Sequence, residues 1–217
     1  MGYEKSNLND GNEREKTESI IIENVPFVTQ LYDTDNYQIL GFKDLAEAEH
    51  WSKRDCGIVC IEMAVRFFLP DLKIRTKELI NMGLQIHAYK ENVGWIHDGL
   101  VEIATRLGLK ASRESIGGDL EKIKNHLEEN RLVIASISHG FEVGKEYKEE
   151  NGSVYIVPRG GHLAVIFGIT EKLGKIKSIY LHHPSPYKTY SWKNYSVSAN
   201  KFMGSFSERG NIISLGK

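Results

Sequence analysis

Several features that would place this chain in a specialised class are scarce. Its 217 residues include two cysteines and five prolines, and the formal net charge is −1. Two cysteines are too few for a disulfide framework, and a balanced charge provides no basic field for nucleic acid and no polybasic patch for a membrane. No apolar run approaches the length that spans a bilayer, and the N-terminus lacks the apolar segment of a secretory signal. We therefore expect a cytoplasmic protein.

The rest of the composition is that of an ordinary globular domain. Hydrophobic residues make up 41% of the chain and charged residues 26%, which allows a buried core. Residues 1–19 are polar and of mixed charge, so we expect a disordered tail there and a single domain over residues 20–217. A β-prone run at residues 20–30 precedes several helical patterns, and strands follow. This order indicates an α+β fold with helices packed on an antiparallel sheet.

Periodicity and turn residues divide the domain into elements. Helical spacing with caps and stop signals predicts helices at residues 43–51, 56–69, 76–82, 95–107, 119–130 and 198–204. Apolar runs predict strands at residues 132–138, 162–169, 176–183 and 211–215, and Asn151-Gly152 predicts a hairpin turn between residues 146–147 and 154–157.

A cysteine opens the most apolar of these helices. Apolar residues from Val59 to Phe68 recur at the spacing of one helix face, and Pro70 ends the pattern. Cys56 therefore falls in the first turn, where unpaired N–H groups and the positive end of the helix dipole favour a thiolate. This position predicts a nucleophile that alkylates well below the usual cysteine pKa. The alternative is a small buried hydrophobe, which also describes Cys60 one turn later.

Two later strands carry histidines that could serve such a thiol. The run at residues 162–169 begins with a histidine and is otherwise apolar, and residues 176–183 follow it after a short connector. If the turn is centred in that connector, positions whose numbers sum to 345 face each other. His162 then lies opposite His183 on one face of the pair, and His182 points to the other face.

A thiol and a histidine with an orienting partner are the working parts of thiol catalysis. The chain resembles the papain-like peptidases of the C39 type and their C39-like relatives in three motifs. These are Asp55-Cys56-Gly57 followed by Cys60, the run VPFVTQ at residues 25–30 and the run GHLAV at residues 161–165. The resemblance implies a papain-like fold, with Cys56 as the nucleophile at a helix N-terminus and His162 as the general base.

Two positions depart from the family pattern. Family members usually place Asp or Asn before a proline on the strand after the histidine, and this chain has His183 there. A neutral imidazole can accept the Nδ1 hydrogen bond of His162, but it lacks the charge that stabilises an imidazolium. The oxyanion-hole Gln commonly stands six residues before the cysteine, where this chain has His50. We favour Gln30 as the oxyanion donor, because its amide donates independently of pH, and keep His50 as the alternative.

The expected activity is that of a cysteine peptidase-like hydrolase that cleaves a peptide or other amide bond through a thioester, without a cofactor. Alternatives are an acyltransferase or peptide-modifying enzyme on the same fold and a catalytically silent peptide-binding module. A zinc site formed by Cys56 and the histidines is a further class. We expect no metal, because the adjacent His182 and His183 side chains point to opposite faces of a strand. The expected partner is a peptide or a small amide or acyl substrate.

Overall fold

The computed structural model describes residues 17–148, 152 and 154–217. Residues 1–16 of the expected tail lie outside this range. Residues 17–19 were also expected in the tail, but they belong to the first strand, Thr17–Ile21 (β1). Within the described residues, no helix combines the length and the apolar character needed to cross a membrane.

Each predicted helix is present, with its ends shifted by a few residues. Asp44, Asp119 and Ser198 cap three of the helices by accepting a backbone N–H of the first turn, which explains why these helices begin where they do. The helices in the described part of the chain are Leu45–Ser52 (α1), Cys56–Phe68 (α2), Thr76–Gln85 (α3), His97–Arg106 (α4), Leu120–Glu128 (α5) and Ala199–Ser205 (α6).

The strands form one large antiparallel sheet and two small hairpins. The strands that follow β1 are Tyr89–Lys90 (β2), Gly94–Trp95 (β3), Lys110–Ser115 (β4), Leu132–Ile137 (β5), Glu146–Lys148 (β6), Val154–Ile156 (β7), His162–Lys172 (β8), Lys175–His183 (β9), Trp192–Ser198 (β10) and Asn211–Gly216 (β11). The large sheet has the order β10-β9-β8-β5-β11-β4, and β1 also pairs with β8. β2 pairs with β3, and β6 pairs with β7.

The first strand is shorter than predicted. β1 ends at Ile21, although residues 20–30 were expected to form one β-prone run. Asn24 has a φ of 62°, a left-handed conformation that breaks an extended strand, and Pro26 has no N–H to donate to a ladder. The segment from Val25 to Gln30 therefore follows an irregular path.

The buried helix α2 packs against the central strand β8. Val59, Cys60, Met63 and Ala64 are fully buried, and Ile58 and Ile61 on other sides of the helix are buried too. From Gly57 to Val65 the helix is therefore enclosed by protein on all sides rather than on one face.

Gly57 explains how closely the elements meet at the start of α2. A Cβ at this position would lie 2.8 Å from Leu100 of α4 and 3.2 Å from Leu163 of β8. Only glycine avoids both contacts. This close approach places the residue before it, Cys56, beside the first residues of β8.

The β8–β9 hairpin has a register two residues away from the predicted one at both ends. Val165 lies opposite His182, and the turn is built on Leu173 and Gly174, whose positive φ angles of 54° and 68° are those of a two-residue hairpin turn. Because side chains alternate with a period of two, a shift by two residues leaves each side chain on its predicted face. His162 and His183 therefore still share one face.

Candidate active site

A cleft of about 1350 Å³ opens where the start of α2 meets the start of β8. Its walls come from the β2–β3 and β6–β7 hairpins, the first residue of α4 and the segment that follows β9. Of the residues predicted to form a site, Gln30, Cys56 and His162 line this cleft. His183 is fully buried beside His162, and His50 is exposed on α1 and does not line the cleft.

Cys56 is the first residue of α2 and is partly accessible from the cleft. The backbone N–H groups of Leu163, Gly57 and Cys56 lie near its sulfur and lower the pKa of the thiol. Burial has the larger effect and raises that pKa to about 11. The predicted thiolate is therefore wrong for the free protein, since desolvation outweighs the helix N-terminus. At neutral pH, Cys56 is a thiol.

His162 is the first residue of β8 and is 7% exposed. Its Nε2 has no hydrogen-bond partner among the described residues, and the backbone carbonyl of Pro184 accepts a bond from the ring. A carbonyl only accepts, and Nε2 has no partner in the described part of the chain, so we assign the proton to Nδ1, which leaves the lone pair on Nε2. Burial, His183 and His139 lower the pKa of His162 well below its usual value. His162 is thus a neutral imidazole with an available base nitrogen.

His183 forms hydrogen bonds with the protein through both ring nitrogens. Its Nδ1 donates to the carbonyl of Tyr190 over 2.7 Å, and its Nε2 accepts the N–H of Gly140 at 3.2 Å. The rings of His183 and His162 have centroids 4.4 Å apart. His183 therefore packs against His162 without accepting its Nδ1 proton, because no lone pair is free. The hydrogen bond expected between these histidines is absent, and Pro184 occupies that position.

Gln30 is held just behind Cys56. Its Nε2 donates to the carbonyl of Ser52 at 2.8 Å and to Oδ1 of Asp55 at 3.0 Å, and the side chain is 1% exposed. The Ser52 carbonyl can only accept, so it establishes which end of the amide is nitrogen. Both amide hydrogens are engaged, and Oε1 has no partner among the described residues. Gln30 can serve an oxyanion only by exchanging one of these bonds.

Asp55 was named only as part of the Asp55-Cys56-Gly57 motif, and no role was predicted for it. The carboxyl group is fully buried and accepts hydrogen bonds from Gln30 and from the hydroxyl of Tyr32. Burial raises its pKa to about 7. The signal was its place directly before the cysteine, where an acidic residue inside an apolar segment needs polar partners.

His139 is a second residue that was missed. It follows β5, lines the cleft, and lies edge-on to His162 with ring centroids 5.0 Å apart. Its Nε2 contacts the hydroxyl of Ser185 at 2.9 Å. Burial lowers the pKa of His139, so this ring too is neutral. Within the part of the chain that the structure describes, no three His, Cys, Asp or Glu residues are arranged to hold a metal ion.

His182 lies on the opposite face of β9, as predicted. Its Nε2 is 3.0 Å from the carbonyl of Val25, and its Nδ1 accepts the N–H of Asn194. The ring packs against Phe27 and Phe167. His182 thus anchors the irregular segment after β1, which leads to Gln30.

Comparison with known proteins gives matches among solved structures. No family model and no curated protein matches the chain. A Bacillus anthracis protein described as a C39-like peptidase is 18% identical, with a TM-score of 0.56 over 92% of this chain and 98% of that chain.

Two further structures match less closely. The peptidase domain of Streptococcus ComA, a bifunctional ABC transporter, is 15% identical, with a TM-score of 0.47 over 75% of this chain and 91% of that chain. A double-glycine motif protease from an AMS/PCAT transporter, solved with its leader peptide, is 13% identical, with a TM-score of 0.48 over 89% of this chain and 93% of that chain. The resemblance expected from the motifs is confirmed for the fold: the chain is similar to C39-like peptidases and has their papain-like architecture of helices and antiparallel sheet.

Proposed function

We propose that the protein is a cysteine peptidase-like hydrolase that cleaves a peptide or other amide bond through a thioester on Cys56. One observation carries this proposal. The backbone N–H of Leu163 lies close enough to the sulfur of Cys56 to lower the pKa of the thiol, and the residue before Leu163 is His162, whose Nε2 has no partner among the described residues. A nucleophile and a base therefore lie side by side in one cleft that can hold several residues of a peptide.

The proposed reaction starts from the neutral pair. The Cys56 sulfur attacks the substrate carbonyl while its proton passes to Nε2 of His162, and the resulting imidazolium protonates the leaving amine as the C–N bond breaks. His162 then takes a proton from water as the water attacks the thioester, which releases the acid and restores the thiol. The oxyanion is held by the backbone N–H of Cys56 and by Gln30, after Gln30 exchanges its bond to Asp55.

Trapping the acyl-enzyme tests the proposal. The protein is incubated with a peptidyl vinyl sulfone and with thioester-forming peptide substrates, and intact mass is measured. We expect one adduct on Cys56, lost in Cys56→Ala and in His162→Ala. Two matched controls are available on the same elements: Cys60→Ala one helical turn away, and His182→Gln on the opposite face of β9. Equal adduct formation in Cys56→Ala would refute the assignment.

The same experiment separates the other functions. If an added amine captures the acyl group in preference to water, the chain is an acyltransferase on the same fold. If Cys56 forms no adduct but peptides bind, it is a silent binding module, which the raised thiol pKa and the missing carboxylate beside His162 would favour. We also propose a reducing, cytoplasmic compartment, which the two unpaired thiols support.

A further inference from the structure

The charges around the cleft are unequal. Among the described residues, its lining includes the cationic side chains of Lys53, Arg54, Arg113 and Arg209 and one acidic side chain, that of Glu91. The whole chain has a formal net charge of −1, so this excess of cations is local. Within the described residues, Lys53 and Arg209 form no ion pair, and Arg54 meets Glu91 only at 3.7 Å. Substrate therefore enters a region of positive potential.

One wall also has hydrogen-bonding atoms without partners. Trp95 is 7% exposed and lines the cleft, and its Nε1–H has no acceptor among the described residues. His97 follows in the same wall, and its Nε2 is buried and unpartnered as well. A buried donor without an acceptor costs about 1–3 kcal/mol, so a bound group that supplies an acceptor is favoured here.

The start of α4 adds to this wall. Its N-cap residue is Ile96, which has no side chain to cap the first N–H groups, and both Ile96 and His97 line the cleft. Burial lowers the pKa of His97, and the nearby Arg113 guanidinium, which meets Asp98 at 2.9 Å, lowers it further. A helix N-terminus, an indole N–H and an arginine thus converge on one part of the cleft.

We propose that this wall, formed by Trp95, His97 and Arg113 at the start of α4, is a specificity subsite for a carboxylate, so that the preferred substrates are acidic peptides. The inference rests on the proposed function, because it names the substrate class of the same cleft. The carboxylate accepts from Trp95 and pairs with Arg113, while Lys53 and Arg209 raise its local concentration. Asp98 competes with the substrate for Arg113.

The test uses one peptide scaffold with Glu, Gln or Lys at each position flanking the scissile bond, each with a free or an amidated C-terminus. We expect kcat/KM for the best Glu peptide to exceed that of its Gln counterpart by about tenfold, the size of a charge-assisted contact in a partly exposed site. The preference should fall as salt rises. If the free C-terminus alone gives the preference, the carboxylate recognised is the terminal one, and the acidic-peptide assignment is overturned.

Variants locate the subsite. Arg113→Gln should reduce the Glu-to-Gln ratio about fivefold, whereas Asp98→Asn should increase it, because Arg113 is then released. The control is Arg106→Gln at the far end of α4, where the side chain pairs with Glu102; it should leave the rates for both peptides unchanged. Equal rates for Glu, Gln and Lys peptides, with turnover that still depends on Cys56, would overturn the subsite and leave the proposed function standing.

Binding to Cys56→Ala separates the two failures. If no peptide is turned over, the proposed hydrolase fails, and the dissociation constants of the same Glu and Gln peptides for this variant still decide the inference. Tighter binding of the Glu peptide, weakened by Arg113→Gln, supports the subsite. Equal binding of the two peptides refutes it.

Discussion

Replacing Asp55 by Asn should remove the part of the pH dependence of stability that comes from titration of this carboxyl group. Asp55 is fully buried, and its carboxyl group accepts from Gln30 and Tyr32. Asn has the same shape: its oxygen can still accept from Gln30, and its amide nitrogen can donate to the Tyr32 hydroxyl once that hydroxyl rotates. The substitution therefore removes the titration while keeping the two contacts.

The magnitude follows from the change in pKa on folding. The ordinary pKa of the group is 3.8, and burial raises it to about 7. Between these values the native state holds a proton that the unfolded state has released, so the free energy of unfolding falls as pH rises. With about 1.4 kcal/mol for each pKa unit, the contribution of Asp55 falls by about 4 kcal/mol from pH 4 to pH 7.

Buried histidines act in the opposite direction. Burial lowers the pKa of His183 to about 4 from an ordinary 6.5, and the pKa of His162 is lowered as well. In this window the unfolded state binds the extra proton, so these residues make stability rise with pH, by about 3 kcal/mol for His183. The stability of the wild-type protein alone therefore does not isolate Asp55, and the difference between wild type and Asp55→Asn does.

The assay is urea unfolding at half-unit steps from pH 4 to pH 8, followed by tryptophan fluorescence. Relative to Asp55→Asn, the wild type should lose about 4 kcal/mol across the range. Asp71→Asn, at an exposed carboxyl group, is the matched control and should run parallel to wild type. If the difference between wild type and Asp55→Asn is constant within about 1 kcal/mol, Asp55 titrates alike in both states and the reasoning from burial is refuted.

Three other predictions concern Cys56, Gln30 and Cys60. Iodoacetamide should label Cys56 about a hundredfold more slowly at pH 7 than a thiol of ordinary pKa 9.0, with a rate that rises about tenfold per pH unit up to pH 10; a plateau below pH 8 would contradict the raised pKa. Gln30→Ala should lower kcat by about 10²-fold with less effect on KM, measured on any substrate that forms the acyl-enzyme. Cys60→Ser should cost about 1–3 kcal/mol in urea unfolding, because it buries a hydroxyl in the core, yet leave labelling of Cys56 intact.

The buried elements could be predicted from the sequence because their patterns report burial directly. α2 and β8 are apolar enough that both their type and their place follow from periodicity and length. β4 and β10 were not predicted, because their sequences lack the apolar pattern that indicates a buried strand. β4 is polar and mostly exposed. Both strands lie at the edges of the large sheet, where a strand has a neighbouring strand on one side only and its side chains need not be apolar.

The site was predictable where it depends on neighbours in the chain and not where it depends on distant loops. The place of Cys56 follows from its own helix, and the shared face of His162 and His183 follows from side-chain alternation, even with a register two residues away. The bonds of His183 come from Gly140 and Tyr190, in two turns far apart in sequence. Nothing in the local pattern of β9 indicates these partners.

These partners determine what kind of pair Cys56 and His162 can form. The Pro184 carbonyl beside His162 favours the tautomer with the proton on Nδ1, which leaves the buried Nε2 with the lone pair that a general base needs. A carbonyl orients the ring as well as a carboxylate does, but it gives little stabilisation to an imidazolium. Together with the raised pKa of the Cys56 thiol, this favours a neutral resting pair, in which the proton moves only as sulfur attacks. An imidazole at position 183 that is bonded elsewhere is therefore compatible with the proposed thioester reaction.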